Sequence, residues 1–180
     1  EGNPYFYALS SHPNVKIIIY NQINPLKPWS LMGRMHDKYV IVDDTAYILG
    51  GRNTFGYFLG SYDGQKNYDR DVLVYNTGPA DSSLYQLKAY YEKITALDCC
   101  HLFHDRECLG EKQRVKAAAQ ELREHFQAIV KNTPELSESP YNYQDNTVAT
   151  HTIGLISNPT APIAKEPVAF YQLMQLCQQT

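Results

Sequence analysis

Apolar positions along the chain fall into short strand-like runs and two longer stretches of helical spacing, separated by polar loops. Residues 15–20, VKIIIY, are β-branched and aromatic and read as a buried strand. The following NQINPLKPWSLMGR carries prolines and a glycine and reads as a loop. Two further strand-like runs, KYVIV and AYILG, are separated only by Asp43, Asp44 and Thr45, and so short a polar gap predicts a hairpin. A glycine- and tyrosine-rich loop, FGYFLGSYDGQKNYD, leads to another strand, DVLVYN. From Asp81 to about Ala96, capping residues precede Leu84, Leu87, Tyr91 and Ile94 at helical spacing. A second helix is predicted across EKQRVKAAAQELREHFQAIVKN, with Val115, Ala118, Leu122, Phe126 and Ile129 on one face. TPELSESPYNYQDN is polar and broken by proline, and reads as a linker. Beyond it come a strand, THTIGLIS, a loop, NPTAPIAKEP, and the start of a helix, VAFYQLMQLCQQ.

Strands alternating with helices predict an α/β layered domain. The expected organisation is a first lobe over residues 1–132, a linker over 133–150 and the opening of a second lobe over 151–180. Both ends read as cut, so the chain is expected to be a piece of a larger protein.

At 180 residues there is enough chain for a proper core. The net charge of −3 argues against a broad basic surface for nucleic acid, though it leaves room for a local pocket holding one phosphate. No apolar run approaches the roughly 18 residues of a membrane span, and the start shows no signal-peptide pattern. Cys99, Cys100 and Cys108 cluster with His101 and His104, but their spacing matches no paired Cys-x-x-Cys pattern. Ordinary thiols or a local disulfide are the reading for them, and no metal or other cofactor is expected.

The chemistry concentrates in HDKYVIVDDTAYILGGRN, residues 36–53. Side chains two apart on a strand share a face, which puts His36 and Lys38 together, with Val40 and Val42 continuing that face. Asp37, Tyr39 and Ile41 take the other, and apolar residues on both sides predict a strand covered twice. Folding the hairpin about Asp44 sets Lys38 opposite Gly50 and His36 opposite Arg52. The return strand therefore delivers Gly50, Gly51 and Asn53 beside the histidine and lysine. Open glycine backbone admits close approach, and a lysine and an amide can hold phosphate oxygens while an imidazole attacks phosphorus. Such a histidine needs a partner on its other ring nitrogen. Asp69 and Asp71, at the start of the next strand, both qualify, and strand parity does not choose between them.

These residues, His36-x-Lys38-x4-Asp43-x6-Gly50-Gly51-x-Asn53, resemble the HKD signature of the phospholipase D superfamily. Gly51 stands where the usual form has serine. The GGRN wording, the aromatic FGYF and the DRDV strand look most like bacterial cardiolipin-synthase-type members. The resemblance covers about residues 15–95, and IGLISNPTAPIAKEP looks like the start of a second lobe. It implies an α/β/α sandwich lobe with a mixed sheet, incomplete here at both ends. It also implies metal-free cleavage or transfer of phospholipid phosphodiesters through a covalent phosphohistidine. By position, His36 would be nucleophile or acid/base, Lys38, Gly50, Gly51 and Asn53 would bind phosphate, Asp69 would orient the histidine, and Asp43 would be structural.

No other histidine has a lysine two residues later, so the chain carries one HKD motif. The implied partner is a second HKD lobe, either on a longer chain or on a homodimer mate, with a phospholipid as substrate and membrane association in the complete protein. A superfamily nuclease acting as a dimer and a catalytically idle interaction lobe are the competing readings. No nucleic acid partner is expected, given the acidic balance, and intact His36 and Lys38 count against idleness.

Overall fold

The computed structural model describes residues 3–58, 63–78, 82–103, 110–136, 142–160 and 166–179. Its contacts divide the chain into two compact units, Glu1–Ile19 with Cys100–Val148 and Tyr20–Cys99 with Ala149–Thr180. Both mix helix with strand, so the α/β class holds in its general sense. The units do not follow the boundaries drawn from the linker. The expected first lobe contributes to both, and residues 149–180 belong with 20–99.

In the first unit, α1 (Pro4–Ser10) is opened by Asn3, whose side chain accepts the Tyr5 N–H at 2.9 Å, and by proline at its first position. It packs on α3 (Gln113–Asn132), with Ala8 buried against Val115 and Ala118 and with Tyr7, Ala119 and Leu122 around them. Alanines at the crossing let the two backbones approach closely. Tyr5 Oη donates to Glu121 Oε2 at 2.6 Å beside this contact. The predicted face of α3 is buried only in its first half, and Phe126 stays 66% exposed. The reason is length: seven residues of α1 span about 10 Å at ~1.5 Å per residue, a third of what α3 offers. Strand β1 (Ile17–Tyr20) pairs with β5 (Cys100–Phe103), and the Phe103 ring lies 5.2 Å from Tyr7.

The second unit holds β2 (Lys38–Val42), β3 (Ala46–Gly50) and β4 (Asp71–Tyr75) in an antiparallel sheet of order β2-β3-β4. Helix α2 (Ser83–Thr95) covers one face. Leu84, Leu87 and Tyr47 are buried there, and Tyr39, Ile41, Leu49 and Val74 pack around them. Tyr39, Ile41, Tyr47 and Leu49 are the odd positions of β2 and β3, as strand alternation requires, and Val74 is the β4 partner of Tyr47.

The second face behaves differently from expectation. Val40 is 56% exposed, and Val42 and Ile48 beside it are exposed as well, so one side of the sheet is uncovered among the described residues. Only one amphipathic helix, α2, follows the hairpin closely enough in sequence to lie against it, and a single helix buries a single face.

THTIGLIS, expected as a strand, forms no ladder. Its Leu155 packs into the α2 cluster and its Leu155 N–H donates to Gln86 Oε1 at 3.1 Å, so a helix side chain takes the place of a strand partner. After it, α4 (Val168–Gln178) begins with the Ala169 N–H donating to Asn158 Oδ1 at 3.0 Å.

Leu84→Ala removes a side chain with no exposure and is expected to cost about 2–5 kcal/mol in urea unfolding. Phe126→Ala, on the uncovered half of α3, is expected to change stability by under about 0.5 kcal/mol in the same measurement.

Candidate functional site

The site begins with the turn that closes the hairpin. Asp43 adopts a left-handed conformation with φ 46°, a region aspartate enters more readily than most residues. The Thr45 N–H then donates to Val42 O at 3.0 Å. Asn76, just past β4, holds the same turn through its N–H to Thr45 O at 2.7 Å and its amide to Asp44 O at 3.2 Å. Lys88 of α2 pairs with the Asp44 carboxylate, which raises the Lys88 pKa. Asp43 is therefore a turn residue, far from the hairpin's open end. The register that follows is the expected one, with Val42 opposite Ala46 and Lys38 opposite Gly50.

At the open end, Gly50 and Gly51 are required by close approach. A Cβ on Gly50 would run into the carboxylate of Asp71, its partner on β4, and would sit 2.9 Å from Arg70 O. A Cβ on Gly51 would lie 2.7 Å from Asp69 Oδ2. Two carboxylates thus lean over bare backbone. Arg52, which the sequence set opposite His36 without giving it a role, bonds the Asp71 carboxylate and the Asp69 backbone. Its Nε donates to Asp71 Oδ2 at 2.6 Å, Nη1 to Phe58 O at 2.7 Å and Nη2 to Asp69 O at 2.7 Å. The expected pairing of Arg52 with His36 does not form, because the β2–β3 ladder ends at Lys38 and the guanidinium turns toward β4. The signal that could have found it is the charge pattern: a planar fork one residue after a glycine pair, opposite two aspartates.

Across the hairpin, Lys38 Nζ lies 2.9 Å from His36 Nδ1 and donates to His36 O at 2.7 Å. An ammonium can only donate, so Nδ1 accepts, and in the neutral ring the hydrogen sits on Nε2. No hydrogen bond joins Asp69 to His36 among the described residues. The Asp69 carboxylate instead accepts the Arg70 N–H at 2.8 Å. Asn53 is half-buried just beyond Arg52, and no hydrogen bond ties it to His36 or Lys38. The fold therefore joins His36, Lys38 and Gly50 around one cavity and holds Gly51, Asp69 and Asp71 on the β4 side of the same end.

A cavity of about 300 Å³ opens beside the motif. His36, Asp37, Lys38 and Gly50 line it together with Leu87 and Ile94 of α2 and with Ser157 and Asn158. Tyr90 also lines it and donates to Asp37 Oδ2 at 2.6 Å. Burial and that hydrogen bond push the Tyr90 pKa well above the ordinary phenol value, and burial does the same to neighbouring Tyr39. The cavity needs residues 155–160, which the motif itself does not announce.

Cys108 and His104 of the cysteine cluster lie outside the described residues, and Cys99 and Cys100 carry no disulfide among the described ones. No group of histidine, cysteine and carboxylate side chains suited to a metal occurs among the described residues. No described helix is long and apolar enough to cross a membrane. No family model, curated protein or solved structure matches the chain.

Gly50→Ala should displace Asp71 and break its pair with Arg52, for a loss of about 1–3 kcal/mol in urea unfolding. A raised Tyr90 pKa means the folded state holds the phenolic proton longer than the unfolded chain does. Stability should therefore fall as pH rises above about 10. Tyr90→Phe should cost about 1 kcal/mol at neutral pH, given partial solvent screening, and should flatten that alkaline decline in urea titrations between pH 8 and about 11.5.

Proposed function

We propose that the chain is a phospholipase D-like lobe that supplies one of two HKD half-sites for hydrolysis or transfer of phospholipid phosphodiesters. The observation that carries this reading is the hairpin end. The register setting Lys38 opposite Gly50 brings the two halves of the motif together beside a cavity, with His36 Nδ1 against the Lys38 ammonium. The resemblance to bacterial cardiolipin-synthase-type members rests on the same residues. The α/β/α sandwich and the second lobe belong to this proposal too. Apolar Val40, Val42 and Ile48 on the open face of the sheet support it, because a sandwich has a layer there.

His36 takes one of two roles, nucleophile or acid/base. A neutral ring attacks phosphorus through its unprotonated nitrogen, and an imidazolium acts as the general acid. In the reaction, the imidazole of one half-site forms a P–N bond while the P–O bond to the leaving group breaks. The imidazolium of the other gives its proton to the departing oxygen and becomes neutral. Water or an alcohol then attacks phosphorus, that neutral imidazole takes a proton from it, and the P–N bond breaks. Lys38 offsets charge on the non-bridging oxygens, and Asn53, Gly50 and Gly51 complete the phosphate cradle. Arg52 holds Asp69 and Asp71 in place behind it. The second imidazole comes from another lobe or a second copy, since this chain has one His-x-Lys motif.

A dimeric nuclease of the same superfamily is disfavoured by the net charge of −3, because a strand of phosphates is held through a basic surface. An idle interaction lobe has no use for an intact histidine–lysine pair.

In the assembly that turns over a phosphatidyl substrate, whether a homodimer or a longer chain containing these residues, His36→Ala should lower kcat by about 10²–10⁴-fold. Unchanged turnover removes His36 from the chemistry. Comparable rates on single-stranded DNA with no lipid product would turn the assignment to the nuclease.

A further inference from the structure

The loop between β1 and the histidine exposes apolar side chains and carries two cations, Lys27 and Arg34, with no acidic residue. Leu26 is 86% exposed, Trp29 61% and Met32 89%, and Ile23 and Leu31 beside them are exposed too. Soluble surfaces carry single exposed apolar residues without consequence, but a run of large ones on one short loop marks a contact surface. Their exposure is held in place by the backbone. Asn21, at φ 46°, closes the base of the loop by donating from its amide to Ser30 O at 2.8 Å and Gly33 O at 2.6 Å. Within the loop, the Leu26 N–H donates to Asn24 Oδ1, Lys27 N–H to Asn24 O and Ser30 N–H to Lys27 O, each at 2.9 Å. A short 3-10 turn over Pro28–Met32 presents Trp29 and Met32 outward.

The charge pattern names the occupant. From Asn21 to His36 there is no aspartate or glutamate, while Lys27 sits between Leu26 and Trp29 and Arg34 follows Met32, in a chain whose overall charge is −3. Exposed apolar side chains, a tryptophan among them, with cations beside them in the chain match the chemistry of an anionic bilayer surface. The loop backbone is largely bonded within itself, so strand addition to a protein partner has little to work with.

We propose that residues 23–32 are a lipid-docking loop that seats the chain on an anionic membrane surface through Leu26, Trp29 and Met32, with Lys27 at the headgroups. The loop runs directly into Met35 and His36, which line the cavity, so docking sets the reacting imidazole close to headgroup level. That consequence rests on the phospholipid reading, whereas docking itself does not.

Trp29 is the chain's one tryptophan, so its emission reports on the loop alone. With unlabelled vesicles of phosphatidylcholine and phosphatidylglycerol, the emission should shift to shorter wavelength. Bromine-labelled lipid in such vesicles should quench it, and high salt should weaken both effects. Leu26→Ser with Met32→Ser, both far outside the core, should reduce vesicle binding at least about tenfold. In the active assembly, the double variant should turn over a water-soluble aryl phosphodiester at the unchanged rate while losing activity on vesicle lipid. Emission unmoved by either lipid overturns the proposal and leaves a protein partner as the occupant. Equal binding to purely zwitterionic vesicles overturns the part played by Lys27. Vesicle binding without turnover of any diester would sink the phosphodiesterase reading and leave the docking loop standing.

Discussion

The pairing register of one hairpin is the constraint on which the site depends. Opposite residues of β2 and β3 sum to the same number all along the ladder, from Val42 and Ala46 at the turn to Lys38 and Gly50 at the open end. Side chains alternate between faces, so a slip of one residue would move a whole apolar set from core to solvent. Here it would expose Tyr39, Ile41, Tyr47 and Leu49, which pack against α2. Tyr47 adds specificity, since its buried hydroxyl donates to Ser83 Oγ at 3.0 Å. The left-handed Asp43 fixes the other end of the ladder. Core burial thereby sets the position of Lys38 relative to the glycine pair.

A second constraint works on that open end. The carboxylates of Asp69 and Asp71 approach the backbone of Gly50 and Gly51 more closely than any side chain would allow. Two acidic groups so near each other repel, and the Arg52 guanidinium, bonded to the Asp71 carboxylate and to Asp69 O, offsets that repulsion with fixed geometry. Serine in place of Gly51 would press its Cβ against Asp69. Gly51 is thus matched to the way β4 enters. The bare glycine backbone and the carboxylate pair are two sides of one close approach.

Local pattern made some of this legible. The alternation of β2 and β3, the three-residue gap between them and the helical spacing of Leu84, Leu87 and Ile94 each appear in the fold where the residues indicate. Other elements depend on neighbours. THTIGLIS has strand-like residues but finds Gln86 instead of a strand edge. Phe126 has the right helical spacing, yet α1 is too short to reach it. α1 itself is held by an Asn3 cap and by its contact with α3, a partner more than a hundred positions away in the chain.

For the site, periodicity placed His36, Lys38 and Gly50 together because a hairpin is a local object whose geometry follows from turn length. What Asp69 and Asp71 bond to is not a local question. Strand parity makes Asp69 and Asp71 equivalent, and the folded chain separates them by Arg52: one carboxylate pairs with the guanidinium, the other with the Arg70 N–H. Likewise the acceptor state of Nδ1 follows from where the Lys38 ammonium comes to rest. The cavity wall supplied by Ser157 and Asn158 lies more than a hundred residues from the motif. What the amino-acid order determined by itself is the hairpin and the residues at its open end, since both come from period and turn. The partners of those residues were decided by tertiary structure, because hydrogen bonds and burial choose among candidates only once distant segments have met.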